Sequence, residues 1–197
     1  MDVQVLPSLS VAPQFQRNYT MLAHPHVLAN YNAWANRRLH GICAELSADE
    51  ISQDRGAFFG SILGTLNHIL LVDILYRERI EGIDSTFSGL NDTLHSDLSA
   101  LSVHQSEEDD RWIALTEEID PTTLDEPFVF WTLGLDNRDR REVPKHIYFT
   151  NLAQHQAHHR GQTHNMVSQA GLKPPSLGYI DFRMEMDRSL ITTPDAG

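Results

Sequence analysis

The sequence is poorest in cysteine, with a single residue, Cys43, in 197. One thiol closes no disulfide within the chain, which excludes the stapled folds of small secreted domains and fits a reducing cytoplasm. Cys43 falls among Leu39, Ile42 and Leu46 on an expected helix, where a thiol reads as inert packing. Long hydrophobic runs are missing as well. No apolar stretch reaches the ~18 residues of a membrane span, and the N-terminus lacks the basic start and apolar core of a secretory signal. Basic residues are scarce: 15 Lys and Arg stand against 27 Asp and Glu, a formal charge of −12. Such a surface repels phosphate backbones, so nucleic acid is an unsuitable partner. The chain is rich in histidine, with eleven, at 24, 26, 40, 68, 95, 104, 146, 155, 158, 159 and 164.

Length and an ordinary hydrophobic share of 41% allow one well-filled domain. Residues 1–18 show no periodicity and read as a loose N-terminal arm, residues 19–185 as a single domain, and 186–197 as a C-terminal tail. From about Met21 to Leu46, Leu28, Tyr31, Trp34, Ala35, Leu39 and Ile42 recur at three and four residues, predicting an amphipathic helix with Pro25 in its first turn. A second helix is expected from about Ala57 to Ile80. It is apolar nearly all round and so belongs at the centre of a bundle. A third runs from Asp92 or Leu98 to Ile119 and carries the acidic run Glu107 to Asp110, which reads as a solvated face.

Between Pro121 and Pro144 the pattern turns β-prone: Phe128 to Trp131, then turn residues Gly134 to Asp139, then Arg140 to Val143 pairing back as a short hairpin. The last helix is expected from Lys145 to Ala170, closed by Gly171 and by Pro174 and Pro175. Beyond it Tyr179, Ile180 and Phe182 form an apolar patch in the tail. The fold class is therefore all-α: a four-helix bundle with one inserted hairpin.

The last helix carries the informative histidines. With ~100° per residue and His155 at zero, the apolar stripe spans roughly 20° to 120°, His159 falls near ~40°, His158 near ~−60° and His164 near ~180°. His155 and His159 therefore share an inward face, and two imidazoles four residues apart can chelate one ion. His68, midway along the most apolar helix, supplies a third inward imidazole. Alone it reads as a core histidine bonded to an oxygen; with the pair it favours a divalent metal site. Imidazole suits Zn, Ni, Cu and Fe alike. No Asp or Glu stands one turn from the three, so the ion keeps its +2 charge and favours an anionic ligand such as hydroxide, carboxylate or thiolate. Tyr31, His158 and Gln162 are the candidates for supporting or proton-handling roles. His24, His26, His40, His95, His104, His146 and His164 read as surface residues.

Tyr31-Asn32-Ala33-Trp34-Ala35-Asn36, Leu66-Asn67-His68-Ile69, the run His155 to Gln162 and Pro174-Pro175-Ser176 together resemble the DinB-like (YfiT-related) family over residues 20–185. That resemblance implies an up-down-down-up bundle, a divalent metal on His68, His155 and His159, and a homodimer. For the metal it implies Zn or Ni first, with Fe, Mn or Cu as alternatives. For activity it implies metal-dependent hydrolysis, or transfer of a low-molecular-weight thiol to a small-molecule substrate. The alternative is a non-catalytic, stress- or damage-inducible metal-binding protein. The arm at 1–18 and the hairpin around Leu135 to Arg141 read as local elaborations.

Overall fold

A computed structural model describes residues 24–133 and 138–190. The arm at 1–18, the hairpin tip at 134–137 and the last residues of the tail lie outside that range. The described chain is mostly helical, with one two-stranded antiparallel sheet.

Helix α1 covers Pro25–Cys43, opened by Pro25 in the first turn and by the His24 ring, which accepts from the His26 amide. A short α2, Ala48–Ser52, follows on a reciprocal cap: Ser47 accepts from the Glu50 amide while the Glu50 carboxylate accepts from the Ser47 amide. Helix α3 is Ile62–Glu81, capped by Ser61 and ended by Gly82 in the left-handed region at φ 70°. Its start corrects the expectation of a helix from Ala57. The apolar run counted Phe58 as helical core, but Ala57 to Gly60 make a tight turn and Phe58 is 82% exposed. Asp97 caps α4, Leu98–Glu117.

The hairpin pairs β1, Pro127–Trp131, with β2, Arg140–Pro144, in the register Phe128 opposite Val143 and Phe130 opposite Arg141. Helix α5 is Lys145–Gln169, and Gly171 follows it at φ 88°. The segment read as a tail forms a further helix, α6, Tyr179–Met186, whose Phe182 is buried against Trp34 and Ala35 of α1.

Helix α1 packs on α4 and α5, and α3 packs on the same two. On α1, His26, Asn36 and His40 meet Ile113, Asp109 and Ser102 of α4, so these two helices run in opposite senses. On α3, Asp73 and Arg77 meet Gln105 and Glu108 of α4 in the same sense. Asp73 and Tyr76 meet Gln156 and Asn151 of α5 in the opposite sense.

Two apolar clusters form the centre of the bundle, beside the smaller one around Phe182. One gathers Leu39, Cys43, Leu66, Leu70, Leu101 and Val167; the other gathers Ala29, Leu71, Trp112, Phe149 and Leu152. Along α1, α4 and α5 a set of buried polar residues stands between these clusters: Asn36, Gln105, Asp109, Gln156 and Arg160. Here the structure corrects two expectations. Glu108 and Asp109 are 0% and 3% exposed rather than solvated, and His40 is buried, its Nδ1 bonded to Ser102 Oγ at 2.7 Å. Two of the partners that draw the acids inward, Arg77 and Asn36, stand on other helices, while Arg111 lies one turn along α4 itself. Arg77 and Arg111 pair with Glu108, and Asn36 donates to Asp109 at 2.9 Å.

Candidate metal centre

Helical spacing puts His155 and His159 one turn apart on α5, and α3, packed antiparallel beside it, brings His68 up to both. One ligand atom from each of the three lies within 4.8 Å of the others. Nε2 of His68 is 3.1 Å from Nε2 of His155, and the ring centroids of His155 and His159 are 4.4 Å apart. His68 and His159 are buried, and His155 is half-buried.

Hydrogen bonds settle which nitrogen carries the proton on two of the rings. His68 Nδ1 lies 2.9 Å from the Leu90 carbonyl and His159 Nδ1 lies 2.9 Å from Gln162 Oε1. Both oxygens only accept, so each Nδ1 donates and each Nε2 is left with a lone pair. Nδ1 of His155 is buried and has no hydrogen-bond partner among the described residues. Burial lowers His68 to about 4 and, helped by the neighbouring histidine charges, lowers His155 to about 3. Burial also holds His159 below its ordinary value. The cluster is therefore neutral at physiological pH, the state in which imidazole binds metals. Three neutral nitrogen donors without a carboxylate suit a divalent transition ion.

The surroundings hold the rings in place. Phe59 stacks on His68 with centroids 3.9 Å apart and meets His159 edge-on at 5.5 Å. The turn that presents Phe59 depends on Gly64, where a Cβ would lie 2.2 Å from the Phe59 carbonyl oxygen. The loop that carries Leu90 is latched by Asn67: its Oδ1 accepts from the amides of Leu94 and His95, and its Nδ2 donates to the His95 carbonyl. A cleft of about 250 Å³ opens beside His68, between Phe58 and Phe59 on one side and Leu90 and Thr93 on the other.

Of the three supporting residues expected from the sequence, two stand at the cluster. Gln162 bonds His159, and its amide nitrogen lies 3.0 Å from Nε2 of the exposed His158. Tyr31 does not join them. Its hydroxyl donates to the Leu177 carbonyl, and its ring packs against Trp34, Tyr179 and Phe182.

The sequence reading did not single out the polar layer next to the cluster. Gln156, beside His155, donates to Asp73 and to the Ile69 carbonyl. Arg160, beside His159, donates to Asn32 and Asn36 of α1. Gln105 donates to both Asp73 and Asp109. All four long helices contribute, which fixes the rotation of α5 about its axis. The legible signal was the pair of polar residues, Gln156 and Arg160, standing beside the two inward histidines.

Among the described residues no helix is long and apolar enough to cross a membrane. The family model described as the DinB family matches residues 20–189. A crystal structure of a DinB-like protein from Bacillus cereus ATCC 10987 is similar in fold, with a TM-score of 0.52 at 20% identity, covering 73% of this chain and 90% of that one. No curated protein matches the chain.

Proposed function

The chain belongs to the DinB family, and from that premise we propose that it holds a divalent metal on His68, His155 and His159 and uses it in hydrolysis, or in thiol transfer, on a small molecule. The observation that carries the proposal is the convergence of three neutral imidazoles, two of them with Nδ1 already committed to an acceptor. The contact directions support an up-down-down-up bundle of α1, α3, α4 and α5 within a single domain over residues 19–185. Homodimerisation and a cytoplasmic location belong to the same proposal, the latter because a buried, unpaired Cys43 suits a reducing compartment.

Among the divalent ions that imidazole suits, Zn or Ni are proposed first, with Fe, Mn or Cu as alternatives. A divalent ion supplies Lewis acidity, which turns a weakly acidic water or low-molecular-weight thiol into a nucleophile near neutral pH. The protein's own groups orient and enclose. Gln162 keeps the proton of His159 on Nδ1, and the Leu90 carbonyl does the same for His68. Phe59 shields two of the rings from water, and the cleft beside His68 admits the substrate. His158, exposed at the rim, accepts from the Gln162 amide at Nε2 and so steadies the residue that orients His159.

The test is elemental analysis of protein purified without an affinity tag, alongside His68→Ala and His159→Ala. The expected result is about one ion per chain in the wild type and its loss in both variants. A wild type that carries no metal and takes up none when offered overturns the proposal. If the ion is present but neither hydrolysis nor thiol transfer is found, its role is to tie α3 to α5, the non-catalytic alternative.

A further inference from the structure

Toward the opposite end of α3 from His68, a second cleft of about 350 Å³ opens between the last turns of that helix, the loop after it and β1. Arg79 on its wall is eleven residues beyond His68, or about 16 Å along the helix axis. This cleft shares no lining residue with the one beside His68.

Its walls combine flat apolar surface with cations. Trp131 is 50% exposed and Ile83 51%, an apolar area left open to solvent. Arg79 lies over two rings, 5.0 Å from the centroid of Phe130 and 5.5 Å from that of Tyr76. Stacking fixes the guanidinium without using its hydrogen-bond donors. Among the described residues no carboxylate lies within ion-pair distance of it. A second cation, Arg138, also lines the cleft, as does its partner Asp84, 3.7 Å away with a side chain 96% exposed, a pairing that water largely screens. A chain of net charge −12 thus presents two arginines beside an open aromatic wall.

We propose that this cleft is a binding site, separate from the histidine cluster, for a small aromatic monocarboxylic acid. The volume suits a compact ligand. The exposed Trp131 offers a face to a planar ring, and a carboxylate matches the planar fork of Arg79. The cleft also borders the C-terminal end of α3, where the helix dipole is negative. That favours a singly charged carboxylate over a doubly charged phosphate.

The fluorescence of Trp131 offers a direct readout, because Trp34 and Trp112 are each 3% exposed. Intact protein is titrated with 3-phenylpropionate, its neutral amide and phenyl phosphate, following tryptophan emission and checking the stoichiometry by calorimetry. The expected result is saturable binding of the acid at one site, with the amide weaker by about tenfold, as loss of a charge-assisted hydrogen bond requires. Arg79→Gln should weaken the acid by about the same factor and leave the amide unaffected, whereas His159→Ala should change neither. Equal binding of acid and amide, tighter binding of phenyl phosphate, or no saturable binding overturns the proposal. The comparison of the three ligands on the wild type stands even if Arg79→Gln fails to fold, and Arg138→Gln then serves as the charge variant.

Discussion

Gln162 determines which nitrogen of His159 carries the proton, because its carbonyl oxygen can only accept. Gln162→Leu removes that acceptor from a half-buried position without emptying the core. Metal affinity should fall by about ten- to a hundredfold, the usual effect of losing such a partner. Titration against a chromophoric chelator measures it, and an unchanged affinity would remove Gln162 from the site. The three histidines were legible in the sequence because the four-residue spacing on α5 and the apolar context of His68 both report direction from local pattern alone. Asp73 and Asp109 were not. Their partners Asn36, Gln105 and Gln156 come from three helices, and the one local partner, Gln105 a turn before Asp109, reads from sequence as an ordinary solvated residue. Tyr31 faces α6, an element that reads from sequence as tail, and carries the Arg160 guanidinium over its ring.

Helix α6 was hard to read because one residue does most of its packing. Phe182 is buried against Trp34, with ring centroids 5.7 Å apart, while Ile180 beside it is 72% exposed. A single inward side chain makes no periodic stripe. Phe182→Ala should lower stability by about 3 kcal/mol, the lower end of the range for an emptied aromatic site, whereas Ile180→Ala should stay within about 0.5 kcal/mol. Urea midpoints of the two variants check this; similar midpoints would mean that α6 contributes little to the fold. The four long helices were legible because each carries an apolar stripe or a cap. The extra turn before α3 was not, since a run of apolar residues hides the point where Gly60, at φ 72°, reverses the chain.

At the scale of the whole molecule, the polar layer between the two apolar clusters makes stability depend on pH. Burial pushes Asp73 up to about 7, against the pull of hydrogen bonds from Gln105 and Gln156. Burial, reinforced by the charge of Asp73, pushes Asp109 up to about 8. An unfolded Asp loses its proton near 3.9. Between that value and the folded one the native chain binds more protons, so stability falls as pH rises through 7 and 8. His40 acts in the opposite sense: burial lowers it to about 4, so its contribution is present above the unfolded value near 6.5 and is lost as pH falls toward 4. Above 6.5 the carboxyls act without that opposition. The expected decline from pH 6.5 to 8.5 is about 1.4 kcal/mol per pH unit for each carboxyl still protonated. Asp109→Asn should flatten it, as denaturation curves of both proteins across that interval would show; parallel curves would mean that Asp109 is ionised in the fold.

The burial of Cys43 bears on how thiol chemistry in this protein can be followed. Its side chain is fully enclosed among Leu39, Ile62 and Leu66, and burial pushes the thiol up to about 12. Only the thiolate attacks a disulfide or an alkylating reagent, so the folded chain contributes no background to a colorimetric thiol assay. Any thiol consumed in such an assay comes from the added cofactor. The same enclosure makes the residue a clock: the rate at which a maleimide labels Cys43 reports how often the core around it opens, and a bound ligand that slows the labelling has stabilised the closed fold.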